Sequence, residues 1–130
     1  MKKLVTFAVM LVMSGMVFAG AISEQYVRDE YEKEGEFPIR DAWLYKFNTV
    51  ATKVVEYSNA ILGGENDRSL SFYGDTFDRY CIRYKVLLDI GVEKRYITDA
   101  VRKQQIEKAE IERRKVSQYL ASKSSGLGLE

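Results

Sequence analysis

The sequence predicts an all-α fold: a small three- or four-helix bundle with a long, charged, partly projecting C-terminal helix. Three observations predict it. Trp43–Ile61 and Phe77–Ile90 each repeat apolar residues at three-and-four spacing, the period of one helix face. The one proline, Pro38, falls between helical stretches, where it fixes a turn without breaking a helix. From Thr98 to Lys123 the chain is dense in charge but helically arranged, with Glu110 four residues before Arg114 and Glu112 three before Lys115.

Residues 1–21 stand apart from that bundle. Lys2 and Lys3 form a positive head, Leu4–Met13 is apolar apart from Thr6, and Ser14, Gly15, Ala19, Gly20 and Ala21 are small. This order is that of a secretory signal peptide, with cleavage after Ala19 or Ala21 and delivery to a periplasm or the exterior. An uncleaved anchor is the alternative, and it is the route by which a membrane contact would arise.

The helical domain is expected over 22–123. Ser23 is placed to cap a short acidic helix running to Lys33, with Ile22, Tyr26, Val27 and Tyr31 inward. Asp41 is placed to cap the second helix. Its stripe is Trp43, Phe47, Val50, Val54, Tyr57 and Ile61, widened by Leu44, Ala51, Val55 and Leu62, and Gly63-Gly64 ends it. Gly63–Gly74 reads as a connection whose Leu70, Phe72 and Tyr73 fold back on the bundle, as a loop or a strand-like patch. A cation site built from Glu65, Asp67, Asp75 and Asp78 is the sharper reading of this region, but the calcium-loop spacing is absent.

The central element is expected over Asp75–Ile90, capped by Asp75 and closed by Gly91. Phe77, Tyr80, Cys81, Tyr84, Leu87 and Leu88 form one face, and Ile82, Val86 and Ile90 a second row. A helix apolar around most of its girth belongs inside a bundle. Thr98 is placed to cap the last helix. Its seam of Val101, Ala109, Val116 and Leu120 is interrupted at Gln105 and at Glu112 or Arg113, and nine of the fourteen residues from Arg102 to Lys115 are charged. Residues 124–130 read as a disordered tail.

Charge is balanced overall, with 20 basic against 19 acidic residues. Cleavage would remove two lysines and leave 18 against 19, a net −1, which does not suit a nucleic-acid binder. Locally it is uneven: Ser23–Asp41 holds seven acids and three bases, and Val92–Lys123 holds nine bases and five acids. Histidine is absent, which removes Ser-His-Asp and Cys-His nucleophile activation and most zinc arrangements. Cys81 is the single cysteine, so no intrachain disulfide forms, and it reads as a small hydrophobe.

Gly74-Asp75-Thr76-Phe77-Asp78, followed by Arg83-Tyr84, Leu87 and Ile90-Gly91, resembles the central helix of bacterial transglutaminase-like cysteine peptidases, whose pattern is Gly-Asp-Cys-x-Asp. The likeness covers eighteen residues. Thr76 occupies the place of the nucleophilic cysteine and no histidine is present to activate it, so the resemblance implies a catalytically dead relative. Ordinary helix capping by Gly-Asp produces the same pattern. Asp75 and Asp78 are candidates for carboxylate-only chemistry, though caps account for both.

The function these features lead us to expect is non-catalytic: an exported helical protein acting through protein–protein contacts, an accessory of an envelope, phage or plasmid-encoded system. No cofactor or metal is expected. The docking surface would be the last helix, through Arg102, Glu110, Arg113, Arg114, Val116, Tyr119 and Leu120, toward a protein partner or a second copy.

Overall fold

In a computed structural model that describes residues 22–35, 37–64 and 67–129, the chain is a bundle of four helices, with no strand among the described residues. The helices are α1 (Glu24–Lys33), α2 (Arg40–Leu62), α3 (Leu70–Glu93) and α4 (Asp99–Leu129), and a 3-10 turn, Asp67–Ser69, precedes α3. The signal segment 1–21, with its cleavage positions, lies outside the described residues, as does Glu65 of the cation reading. No described helix is long and apolar enough to cross a membrane.

Helix α3 is the hub and packs against α1, α2 and α4. Side-chain bonds fix the directions. Trp43 meets Leu87 while Tyr57 meets Tyr73, so α2 and α3 are antiparallel. Arg102 meets Asp89 while Arg113 meets Asp78, so α4 runs back along α3 and parallel to α2. Ser58 to Glu112 ties α2 directly to α4.

The core follows the periodicity. Trp43, Val50, Val54 and Ile61 of α2 are buried against Phe77, Cys81, Tyr84, Leu87 and Leu88 of α3. Trp43 donates its indole N–H to the Leu87 carbonyl at 2.7 Å and stacks on Phe47 at 5.2 Å, so this large ring leaves no polar atom unpaired. Ser23 caps α1 by accepting the Tyr26 N–H at 3.0 Å, and Val27 and Tyr31 are buried while Tyr26 turns outward. Lys85 to Glu24 and Arg83 to Glu30 hold this acidic helix against α3.

The central helix is longer than the caps suggest. It starts at Leu70 and ends at Glu93, so Gly74, Asp75 and Gly91 all lie within it. The apolar Leu70 and Tyr73, half-buried on the core, give its first turn a foothold, and Phe72 points to solvent. The two glycines are points of close approach. A Cβ at Gly91 would stand 2.6 Å from the Trp43 ring, and one at Gly74 would stand 3.3 Å from Leu120. Arg95, with φ 63°, supplies the left-handed residue after the helix. At α2 the observed N-cap is Ile39, without a side-chain bond, and Asp41 sits in the first turn. There its charge still favours the helix N-terminus.

Val55 and Leu62 do not widen the buried stripe; both are exposed. Thr98 caps α4 by accepting the Val101 N–H at 3.2 Å. That helix rests one side on the bundle as far as Leu120, and Ala121, Ser122 and Lys123 are exposed. Its backbone continues helical to Leu129, through the stretch that the sequence reads as a tail. No proline stands there to stop it, and each glycine weakens a helix by only about 1 kcal/mol.

Candidate functional site

The residues that interrupt the α4 seam turn inward. Gln105 accepts the Tyr84 hydroxyl at 2.9 Å, Glu112 accepts the Ser58 hydroxyl at 3.0 Å, and Arg113 reaches Asp78 at 3.4 Å. Arg102 donates to Asp89 at 2.6 Å. Each polar break in the apolar seam thus meets a polar group across the bundle, which is how a helix of mixed character is buried without orphaned donors.

Against this geometry the seven expected contact residues divide. Val116 is 2% exposed and belongs to the core cluster, so its side chain is closed to a partner while the bundle is intact. Arg102 and Arg113 are held in ion pairs to α3, Leu120 packs over Gly74, and Tyr119 is half-buried beside Gly64. Only Glu110 and Arg114 stand fully outward. The interrupted seam is therefore an internal contact of the bundle, and the outward side of α4 is a different strip of residues.

That outward side adjoins a feature periodicity misplaced. Val55 is 55% exposed and Leu62 37% on α2, and Val101 is 39% exposed on α4. Successive residues advance about 100° around a helix, so Val55 and Leu62 share one edge of α2, the edge that carries Ser58 toward α4. On α4, Val101, Lys108 and Lys115 recur every seven residues along the edge nearest α2. The sequence signal was present: Val55 and Leu62 lie well round the wheel from the Trp43–Ile61 stripe.

The groups with chemical potential are engaged elsewhere. Asp78 is largely buried, and burial pushes its carboxyl up to about 6 against the opposing pull of the Arg113 guanidinium. Burial pushes the Cys81 thiol up to about 12. The Thr76 hydroxyl donates to the Phe72 carbonyl at 2.8 Å, one turn back within α3, so it is engaged with its own helix backbone. Among the described residues no three carboxylate or thiol side chains gather as a metal set.

Two shallow grooves of about 210 Å³ flank the hub. One lies between α1 and α3, where Arg28 is already bonded to Glu93. The other is lined by Lys53, Glu56, Tyr57, Ala60 and Tyr73, with Tyr57 also stacked on Tyr80 at 5.6 Å. No family model matches the chain, and neither does any curated protein or solved structure.

Proposed function

We propose that this is a non-catalytic protein, exported by way of residues 1–21, that works by contact with another protein. The observation that carries the contact reading is the set of large apolar side chains left outside the core on neighbouring helix edges, Val55 and Leu62 of α2 and Val101 of α4. A bundle that pairs its polar seam residues so fully has no internal need of them, and exposed apolar groups beside polar ones are what a contact surface requires. The nucleophile and carboxylate candidates support the non-catalytic part, since Cys81 is buried and Asp78 is paired.

Export is tested by mass spectrometry of the protein recovered from its producing cells: an N-terminus at Gly20 or Ile22 supports it, and an intact Met1 sinks it. Contact is tested with a photo-crosslinking residue placed in turn on each exposed helix face of the full chain. Adducts from one face and not the rest support the reading, and no adduct from any face counts against it.

A further inference from the structure

The outward face of α2 carries a pattern of its own. Tyr45, Asn48, Thr52, Val55, Asn59 and Leu62 follow one another at spacings of three, four, three, four and three, the repeat of a coiled-coil seam. All six are exposed, with Tyr45 77%, Val55 55% and Leu62 37% open, and the row faces away from the Trp43–Ile61 stripe that rests on α3. None of the six is charged, in a chain that is 30% charged. Glu56, at the margin of the row, is already bridged to Lys53 at 3.2 Å. Thr52 donates its hydroxyl to the Asn48 carbonyl at 2.8 Å, and the flanking Thr49 donates to the Tyr45 carbonyl at 2.9 Å, so neither donor is orphaned when water is removed. An exposed helix face without charge, its threonine donors already satisfied, has the composition of the centre of an interface.

The order of the row points to its occupant. Outward from the midpoint between Thr52 and Val55, both directions give a β-branched residue, then an asparagine, then a large residue with an apolar body, Tyr45 at one end and Leu62 at the other. We infer that the α2 faces of two copies of this chain pack antiparallel across a two-fold axis at that midpoint, with Thr52 on the partner's Val55, Asn48 on the partner's Asn59 and Tyr45 on the partner's Leu62. A two-fold contact needs a surface that complements itself, and each layer of this row does so. An asparagine amide is donor and acceptor at once, so Asn48 and the partner's Asn59 satisfy each other. The central threonines and valines meet through methyl groups, and the tyrosine hydroxyl at the end of the row reaches water. A row of like charges would repel its own copy, whereas this one carries none. A bilayer fits less well, because lipid offers the two amides no partner, and a helix of a different protein would not require the mirrored order. The inference goes beyond the contact reading above: the α2 face is taken by the chain itself, and another protein meets the pair. The row spans about 26 Å of helix. One such face supplies about half of the residues of a standard interface, so the dimer is weak, with a Kd on the order of 100 µM.

The test is sedimentation equilibrium of the chain as recovered from its producing cells, at concentrations from about ten-fold below to about ten-fold above that Kd. Thr52→Lys, which sets a charge at the centre of the row, is run beside Ser117→Lys, the same charge on the exposed surface of α4. The expected result is a monomer–dimer equilibrium that Thr52→Lys weakens at least ten-fold and Ser117→Lys leaves unchanged, with unaltered circular dichroism in both. Direction and register are read by mild oxidation of cysteine variants. Asn48→Cys mixed with Asn59→Cys should give at least ten-fold more disulfide-linked dimer than either variant alone. A chain that stays monomeric at the highest concentration, equal weakening by both lysine variants, or Asn48→Cys and Asn59→Cys that each link to themselves as readily as to one another overturns the inference. A monomer that still yields photo-crosslinked adducts with another protein overturns this inference alone and leaves the contact reading standing. A monomer without any adduct removes both.

Discussion

Gly91 shows how much one missing Cβ can decide. The Trp43 ring lies where that carbon would be, 2.6 Å from its ideal position, and Ile97 closes the other side at 3.1 Å. Trp43 is held from behind by its bond to Leu87, so it has little freedom to retreat. Alanine favours a helix over glycine by about 1 kcal/mol, but overpacking of this kind costs about 1–3 kcal/mol. Gly91→Ala is expected to lower the urea midpoint. Gly74→Ala meets only the flexible end of Leu120 at 3.3 Å, so the helix gain should leave it neutral or slightly more stable. Equal effects of the two substitutions would refute this account of Gly91. Asp78 makes a second residue-scale case. Its carboxyl titrates at about 6 in the fold against an ordinary value of 3.8, with burial as the main cause. The folded chain therefore holds this proton more tightly than the unfolded chain. The stability it contributes is full below pH 4 and is lost as pH rises toward 6, on the order of 1–3 kcal/mol. Wild-type stability minus that of Asp78→Asn, measured by denaturant titration, should fall between pH 4 and 6.5 and stay level above. A level difference throughout would show that Arg113 cancels the burial, and a difference that rises with pH that it outweighs it.

At the scale of elements, α4 packs one side on the core between Arg102 and Leu120, with Val116 as its buried anchor. Val116, 2% exposed, should lose about 2 kcal/mol when cut to alanine, in line with other large-to-small core changes. Ile111→Ala on the outward side should stay within about 0.5 kcal/mol. Thermal denaturation of the two variants side by side checks the contrast, and matched melting points would mean that α4 is loosely attached. The α2 stripe could be read from sequence because its period is local: each residue of Trp43–Ile61 is recognised by neighbours three or four places away. The α4 partnerships could not. Gln105, Glu112 and Arg113 look like interruptions because Tyr84, Ser58 and Asp78 lie 21, 54 and 35 residues distant. Gly74 and Gly91 were misplaced for the same reason, since glycine after a helix and glycine beneath a foreign ring look alike until the ring is located. The exposure of Val55 and Leu62 was legible in principle, since both lie well round the wheel from the Trp43–Ile61 stripe.

At the scale of the molecule, the uneven charge of the chain is largely cancelled within the fold. Acids of α1 meet Arg83 and Lys85 of α3, and bases of α4 meet Asp78 and Asp89 of the same helix. Ion pairs at or just beneath the surface contribute little each once desolvation is counted, so stability falls to the apolar contacts that α3 makes on three sides. No covalent staple adds to them, because Cys81 is the only cysteine and it is buried in that centre. The thiol is doubly protected: it is buried beside a narrow groove between α3 and α4, and burial raises its pKa to about 12, so almost none is thiolate at neutral pH. Labelling by an aromatic disulfide reagent should therefore be far slower in native buffer than in denaturant, with a native rate that tracks global unfolding as urea is added. Val116→Ala should speed it in proportion to its loss of stability, even though the substitution is on another helix. Fast labelling in native buffer would mean that α4 opens from α3 by itself, and labelling indifferent to Val116 that the thiol is reached without release of α4; in either case the bundle is not one cooperative unit.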